Sequence, residues 1–152
     1  MEAFGVKMDP AADISSAKTT GHAIPCIFQE PHFSPADIEF LQGLGHTVVR
    51  SPAAFRAVDA DSLLFGVHLY RAVYAEALAT SLPRIFVGTD WDTWATSSID
   101  KIDWDAMETM DRTFHEVPFP RDEDEGIFHV TSIYWNQTSD SSERAKEVTA
   151  AN

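Results

Sequence analysis

The chain has 152 residues, enough for one domain, and 44% of them are hydrophobic, so it can bury a core. Twenty-four acidic residues against eleven basic ones give a formal net charge of -13. That balance argues against nucleic acid and anionic membrane surfaces as partners, because both are recognised by clustered Lys and Arg. The single cysteine, Cys26, excludes an internal disulfide and a zinc site built from several cysteines.

The two ends of the chain are polar and rich in small residues. We expect residues 1–21 to be disordered, residues 22–137 to form the folded domain and residues 138–152 to be a flexible tail. The sequence shows neither a signal-peptide core nor a run of ~20 apolar residues. This predicts a cytoplasmic protein, with a nuclear location as an alternative, and no membrane association.

The first half of the body alternates between apolar runs and a strong helix signal. Ser34 is placed as an N-cap and Pro35 occupies the first helical position, while Gly45 is a typical C-terminal stop. The predicted elements here are a buried strand over Ala23 to Gln29, the helix from Pro35, a strand over His46 to Val49 and a short helix or turn over Pro52 to Ala60.

The second half repeats this alternation and ends in a hairpin pattern. Its elements are a strand over Ser62 to Val67, a helix over Leu69 to Leu82, a strand over Arg84 to Gly88, a helix around Trp104 to Arg112, and two hairpin strands over Thr113 to Pro120 and Ile127 to Trp135. Strands that alternate with helices predict an α/β fold. We expect a Rossmann-like three-layer sandwich whose sheet is mostly parallel and ends in an antiparallel hairpin.

Polar and aromatic side chains follow three of the predicted strands. They are Glu30, His32 and Phe33 after the first strand, His68 and Tyr70 after the third, and Asp90, Trp91, Asp92 and Trp94 after the fourth. Because the carboxyl ends of parallel strands meet at one edge, these residues are expected to share a crevice.

This crevice is compatible with two kinds of chemistry. In an enzyme, His68 would act as general base, with Asp90 or Asp92 as its orienting group or as the acid. In a binding site, the aromatic faces and carboxylates would hold a ligand. A structural alternative also exists, since Asp90 is placed to cap the next helix.

Other local signals for chemistry are weak. His32 and His68 lack the spacing of a metal-binding motif, so no metal is expected. Gly43-Leu44-Gly45 ends a helix rather than opening one, which is the wrong context for a phosphate. Cys26 lies in an apolar run and is expected to be a core thiol.

Three separated stretches resemble the SRR1-like domain family. The first runs from Glu30 to Val49, with Glu-Pro-His-Phe where the family has a D-P-x-F turn, then an acidic helix and an L-G-h-x-V strand. The others are Leu63 to Tyr70 and Ile85 to Trp91. The resemblance covers roughly His22 to Trp135 and implies a regulatory role. Members are linked in plants to circadian timing and light signalling, and in fungi and animals to stress or cytoskeletal phenotypes and haem biosynthesis.

The resemblance also implies a difference at the N-terminus. Members of the family begin with a strand, a Gly-rich turn and a helix, where this chain has residues 1–21. Binding of a dinucleotide or of S-adenosylmethionine in the usual manner is therefore not expected, and no cofactor is predicted. The first strand is expected to lack a neighbour, which predicts a homodimer that covers the open sheet edge.

Two functions follow from the sequence. The first is an SRR1-like regulatory or binding domain that presents an acidic, aromatic rim to a small ligand or a basic protein partner. The alternative is a cofactor-independent enzyme of the cyclase, isomerase or lyase type that uses His and Asp for acid–base catalysis in the same rim.

Overall fold

The computed structural model describes residues 4–7, 24, 26–96, 105–120 and 126–136. Within these ranges the strands are β1 (Phe4–Lys7), β2 (Cys26–Phe28), β3 (Thr47–Val48), β4 (Ser62–Gly66), β5 (Ile85–Thr89), β6 (His115–Pro118) and β7 (Thr131–Trp135). The helices in the same ranges are α1 (Pro35–Gly43), α2 (Arg71–Leu78), α3 (Trp91–Thr96) and α4 (Asp105–Thr113), and a 3-10 turn spans Phe55–Ala57. Each predicted strand and helix has its counterpart here, with bounds shifted by a few residues.

Helix α1 begins and ends at the residues that the sequence predicts. The Ser34 side chain accepts a hydrogen bond from the Asp37 N–H, and the Asp37 carboxylate accepts one from the Ser34 N–H at 2.8 Å. The Ser34 hydroxyl also donates a hydrogen bond to the Asp37 carboxylate at 2.8 Å, and this bond together with the one from the Ser34 N–H holds the pKa of Asp37 below its ordinary value. After the helix, Gly45 adopts a φ of 87°, a conformation that glycine reaches without the penalty a side chain pays.

The described strands form one seven-stranded sheet in the order β3-β2-β1-β4-β5-β7-β6. The pairs β2–β3 and β4–β5 are parallel, while β1–β2, β1–β4, β5–β7 and β6–β7 are antiparallel. The α/β class and the antiparallel β6–β7 hairpin are confirmed, but the prediction of a mostly parallel sheet is wrong for the described strands. The reason is that β1 and β7 each insert antiparallel between two other strands. The Rossmann-like three-layer arrangement stays a prediction.

Strand β1 lies at a place where the sequence predicts disorder. Phe4–Lys7 pairs with both β2 and β4, so that Phe4 lies between Phe28 and Phe65. The rest of the segment predicted to be disordered, and the predicted tail from residue 138, lie outside the described residues.

The β1 pairing also removes the premise for the predicted homodimer. Strand β2 has β1 on one side and β3 on the other, so it isn't an open edge. The homodimer stays a prediction, but an open sheet edge at β2 no longer supports it.

The core lies on one face of the sheet, under α2 and α4. Leu64, Phe86 and Tyr134 are register partners across β4, β5 and β7 and therefore share this face. The helices add buried side chains at helical spacing: Tyr74, Ala77 and Leu78 from α2, and Met107 and Met110 from α4. Burying each large apolar side chain contributes about 1.5–3 kcal/mol to folding. No helix in the described part of the chain is long and apolar enough to cross a bilayer.

Candidate functional site

Strands β4 and β5 are parallel neighbours, so the segments that follow them begin at the same edge of the sheet. Gly66 at the end of β4 pairs in register with Gly88 near the end of β5. The candidate residues after these strands are therefore grouped in space. We call the group the β4–β5 edge, and its members are His68, Tyr70, Asp90, Trp91, Asp92 and Trp94.

Tyr74 lies beneath this edge and joins the ends of the two strands. Its side chain is fully buried, and its hydroxyl donates a hydrogen bond to the Gly66 carbonyl and accepts one from the Thr89 N–H at 3.0 Å. Glycine leaves room for this ring, because a Cβ on Gly88 would lie 2.9 Å from the Tyr74 hydroxyl oxygen. Burial raises the pKa of Tyr74, although the hydrogen bonds from Thr89 act in the opposite direction.

A second buried tyrosine holds the turn that follows β5. The Tyr134 hydroxyl accepts a hydrogen bond from the Trp91 N–H at 3.0 Å. Between Thr89 and Trp91, the Asp90 N–H donates to the Val130 carbonyl at 2.9 Å. Burial raises the pKa of Tyr134, and the nearby carboxylate of Glu116 raises it further.

Three successive main-chain N–H groups, those of Thr89, Asp90 and Trp91, thus donate to acceptors inside the protein. In turns that cradle a phosphate or a dinucleotide, N–H groups at the end of a strand point at the ligand instead. This turn uses its donors to hold its own main chain. These three N–H groups are therefore not available to a ligand.

The two aspartates of the edge have different environments. Asp90 Oδ1 accepts a hydrogen bond from the Thr93 N–H at 2.6 Å, which makes Asp90 the cap of α3. Asp92 is exposed, and its carbonyl accepts a hydrogen bond from the Thr96 hydroxyl at 2.8 Å. The capping alternative is therefore present at Asp90, and Asp92 is the carboxylate that faces solvent.

Arg71, the first residue of α2 after β4, contacts Trp94 in α3 after β5. The sequence alone did not single out this arginine. Its Nη2 donates to the Trp94 carbonyl at 2.6 Å, and its Cζ lies 5.3 Å from the centre of the Trp94 ring. Tyr74 also packs against Trp94, with its ring centre 5.6 Å from that of the indole in an edge-to-face arrangement. A signal was available, because Arg71 and Tyr74 are three residues apart and therefore share one face of a helix.

His68 and Tyr70 are the exposed members of the segment after β4. His68 has a φ of 60°, in the left-handed region, and its ring makes no hydrogen bond or ion pair with any described residue. The side chain of Tyr70 is 82% exposed, while its carbonyl accepts hydrogen bonds at the start of α2. The structure thus groups His68 with Asp90 and Asp92 at one edge without bonding it to either.

Glu30, His32 and Phe33 lie apart from this group, because β1 separates β2 from β4. Neighbouring strands are about 4.8 Å apart, so the ends of β2 and β4 are separated by about 10 Å. Glu30 shapes its own turn: its Oε1 accepts the His32 N–H at 3.0 Å and its carbonyl accepts the Phe33 N–H at 3.3 Å. The single crevice expected from the sequence is therefore divided into two groups.

Glu30 and Phe33 line a cleft of about 500 Å³ at the carboxyl ends of β2 and β3, beside α1. We call it the β2–β3 cleft, and its other lining residues are Pro31, Ile38, Val48, Val49, Arg50 and Ser51. Sequence reasoning missed Arg50 and Ser51. They follow β3 in the same way that Glu30 follows β2. The rule that ligands bind beyond the carboxyl ends of strands therefore applied to both sides of the cleft.

Carboxylates crowd together next to the β4–β5 edge. Burial raises the pKa of Asp111, and the charges of Glu116, Asp92 and Glu108 raise it further. These side chains do not make a metal centre: within the described ranges, no group of three or more His, Cys, Asp or Glu residues is placed to hold a metal ion. They give this side of the protein a strongly negative surface.

The model of one known family matches most of the chain. It is the SRR1 domain, and the match runs over residues 10–135, a range that contains both the β4–β5 edge and the β2–β3 cleft. The resemblance seen in the sequence is thereby confirmed, and the match begins earlier than His22. No curated protein and no solved structure matches the chain. The chain belongs to the SRR1 domain family.

Proposed function

We propose that this chain is a non-catalytic regulatory binding domain, whose β4–β5 edge presents an acidic and aromatic surface to a basic protein partner. One observation carries the proposal: the N–H groups of Thr89, Asp90 and Trp91 are all satisfied inside the protein. The main chain of the edge is therefore ordered before any partner arrives. A surface that is already ordered loses little conformational entropy on binding.

The aromatic residues of the edge support contact with a protein. Tyr70 is 82% exposed, so a partner that covers it removes a large apolar area from water. Trp94 is held in place by the Arg71 guanidinium over its ring. Tyrosine, tryptophan and arginine are the residue types that most often dominate the energy of protein interfaces.

The charges support a basic partner. Asp92 is exposed at the edge, and it adds to the repulsion that raises the pKa of Asp111. Lysine or arginine side chains placed against these carboxylates would relieve that repulsion. The net charge of -13 also attracts a basic partner at long range.

The contacts at the edge favour binding over the enzyme alternative. The enzyme alternative requires His68 within hydrogen-bond reach of Asp90 or Asp92, inside a pocket that excludes water. His68 is exposed and bonds to no described residue, and one oxygen of Asp90 is engaged by the Thr93 N–H.

Selection of peptides tests the proposal. Random peptides displayed on phage are selected on the wild-type domain, and the affinities of the enriched peptides are measured at several salt concentrations. We expect peptides rich in Lys and Arg, whose affinity falls as salt rises. Tyr70→Ala should weaken binding about tenfold or more, as truncation of a central aromatic contact does.

Phe40→Ala is the matched control, because it removes an aromatic side chain that is 66% exposed on α1 and should leave the affinity unchanged. Enriched peptides without net positive charge would contradict the proposal. Equal affinities for the wild-type domain and Tyr70→Ala would contradict it as well.

A further inference from the structure

We infer that the β2–β3 cleft is a second binding site, for a small molecule that joins one carboxylate or phosphate group to an apolar body. The inference rests on the residues that line this cleft. It is independent of the function proposed for the β4–β5 edge, which β1 separates from the cleft.

The size and the walls of the cleft suit a small molecule. Its volume of about 500 Å³ lies within the range of about 300–1,000 Å³ that is usual for ligand pockets. The apolar part of the lining is formed by Pro31, Phe33, Ile38, Val48 and Val49. Such a wall favours a ligand with an aromatic or aliphatic body.

The polar part of the lining points to an anionic group. The Arg50 guanidinium makes no hydrogen bond or ion pair with any described residue, although carboxylates far outnumber basic groups in this chain. A guanidinium can bind a carboxylate or a phosphate through two parallel hydrogen bonds. The adjacent Ser51 also lines the cleft, and a serine hydroxyl can donate a further bond.

A carboxylate in the lining limits the ligand to one anionic group. Glu30 lines the same cleft, and its carboxylate would repel a second anion bound near it. Molecules that carry several separate anionic groups are therefore disfavoured relative to those with a single charged head.

The cleft is formed before a ligand binds. The segment after β3 is tied to the end of β2, since the Val49 N–H donates to the Phe28 carbonyl at 2.9 Å. The fully buried Gln29 adds a second tie, because its Oε1 accepts the Ala54 N–H at 3.0 Å. Arg50 lies between these two ties, so its main chain is positioned without a ligand.

NMR titration of the full chain tests the inference. Phenylacetate and phenyl phosphate are the anionic probes, and 2-phenylethanol is the neutral probe with the same ring. We expect saturable shifts of the Phe33, Val49 and Ser51 amide signals with at least one anionic probe below about 10 mM, and little change with the neutral probe. The tighter of the two anions identifies the head group as carboxylate or phosphate.

Two variants separate charge recognition from other effects. Arg50→Gln should weaken binding of the anionic probe about tenfold or more, as loss of a charge-assisted hydrogen bond does. Arg56→Gln removes an exposed arginine outside the cleft and should change nothing. Tyr70→Ala should also leave this binding intact, so failure at the edge and failure at the cleft are distinguishable.

Three results would overturn the inference. They are the absence of saturable shifts at the cleft amides, equal binding of the neutral and anionic probes, and an Arg50→Gln affinity equal to that of the wild type.

Discussion

The hydroxyl oxygen of Tyr74 accepts a hydrogen bond from the main-chain N–H of Thr89 at 3.0 Å, and through this bond helix α2 holds the end of β5. Tyr134 does the same for Trp91 from the neighbouring strand β7. Two buried phenols therefore fix the turn that carries Asp90 and leads into Asp92. The rigidity of the β4–β5 edge originates in side chains below it.

Removal of the Tyr74 hydroxyl should destabilise the fold. In Tyr74→Phe the Thr89 N–H, in a buried residue, loses its acceptor, and an unsatisfied buried donor costs about 1–3 kcal/mol. The free energy of unfolding in urea measures this loss. Tyr70→Phe is the control, because that exposed hydroxyl should contribute less than about 0.5 kcal/mol. Equal stabilities of the two variants would show that the buried bond contributes nothing.

Gly88 should not tolerate a side chain. In Gly88→Ala the new Cβ would clash with the Phe86 ring and lie 2.9 Å from the Tyr74 hydroxyl oxygen, and such overpacking costs about 1–3 kcal/mol. Gly43→Ala at the end of α1 is the matched control, since nothing lies within 4 Å of the Cβ it would add. Thermal melting should separate the two variants clearly. A Gly88→Ala protein as stable as the Gly43→Ala protein would contradict the close packing of Phe86 and Tyr74 around Gly88.

The backbone at His68 should prefer glycine to alanine. Its φ of 60° costs an L-residue about 1–2 kcal/mol relative to glycine, so His68→Gly should be more stable than His68→Ala by about 1 kcal/mol. The same pair of substitutions at His32, an exposed residue without a positive φ, should show the opposite order. Urea unfolding of the four variants checks this. The same order at both positions would mean that His68 is not held in the left-handed region.

The raised pKa values of Tyr74 and Tyr134 predict a loss of stability in alkali. A tyrosine in the unfolded chain loses its proton near pH ~10, while these two keep theirs to higher pH in the fold. The unfolded chain then binds fewer protons, so the free energy of unfolding falls as pH rises, by at most about 1.4 kcal/mol per pH unit for each tyrosine.

Urea unfolding at several pH values above the ordinary tyrosine pKa measures this slope. Tyr134→Phe should flatten it by the contribution of one residue. A Tyr134→Phe slope that matches the wild type would show that burial does not shift the Tyr134 pKa.

Local signals in the sequence predicted much of the fold. Ser34 is the N-cap of α1 as expected, and β6 and β7 pair as the expected antiparallel hairpin. These features depend on residues that are close together in the chain, and their physical causes act over one turn or one strand. The family resemblance likewise rested on three separate stretches of consecutive residues, Glu30 to Val49, Leu63 to Tyr70 and Ile85 to Trp91.

Long-range contacts account for what the sequence did not predict. Phe4–Lys7 is too short for a periodic pattern, and its partners Phe28 and Phe65 are far away in the chain. Its insertion divides the expected crevice. The bond between Tyr74 and Thr89 depends on the register of β4 and β5, which brings Gly66 opposite Gly88. This register between β4 and β5 cannot be predicted from any short stretch of the sequence.

Hydrogen exchange at the Thr89, Asp90 and Trp91 amides in the free protein shows whether the main chain of the β4–β5 edge is ordered without a partner. We expect strong protection of all three without any ligand, because their acceptors belong to the protein. Tyr74→Phe should speed exchange at Thr89, and Tyr134→Phe should speed exchange at Trp91. Exchange at unfolded-chain rates in the wild-type protein would contradict an ordered edge, since these donors would then be available to a ligand.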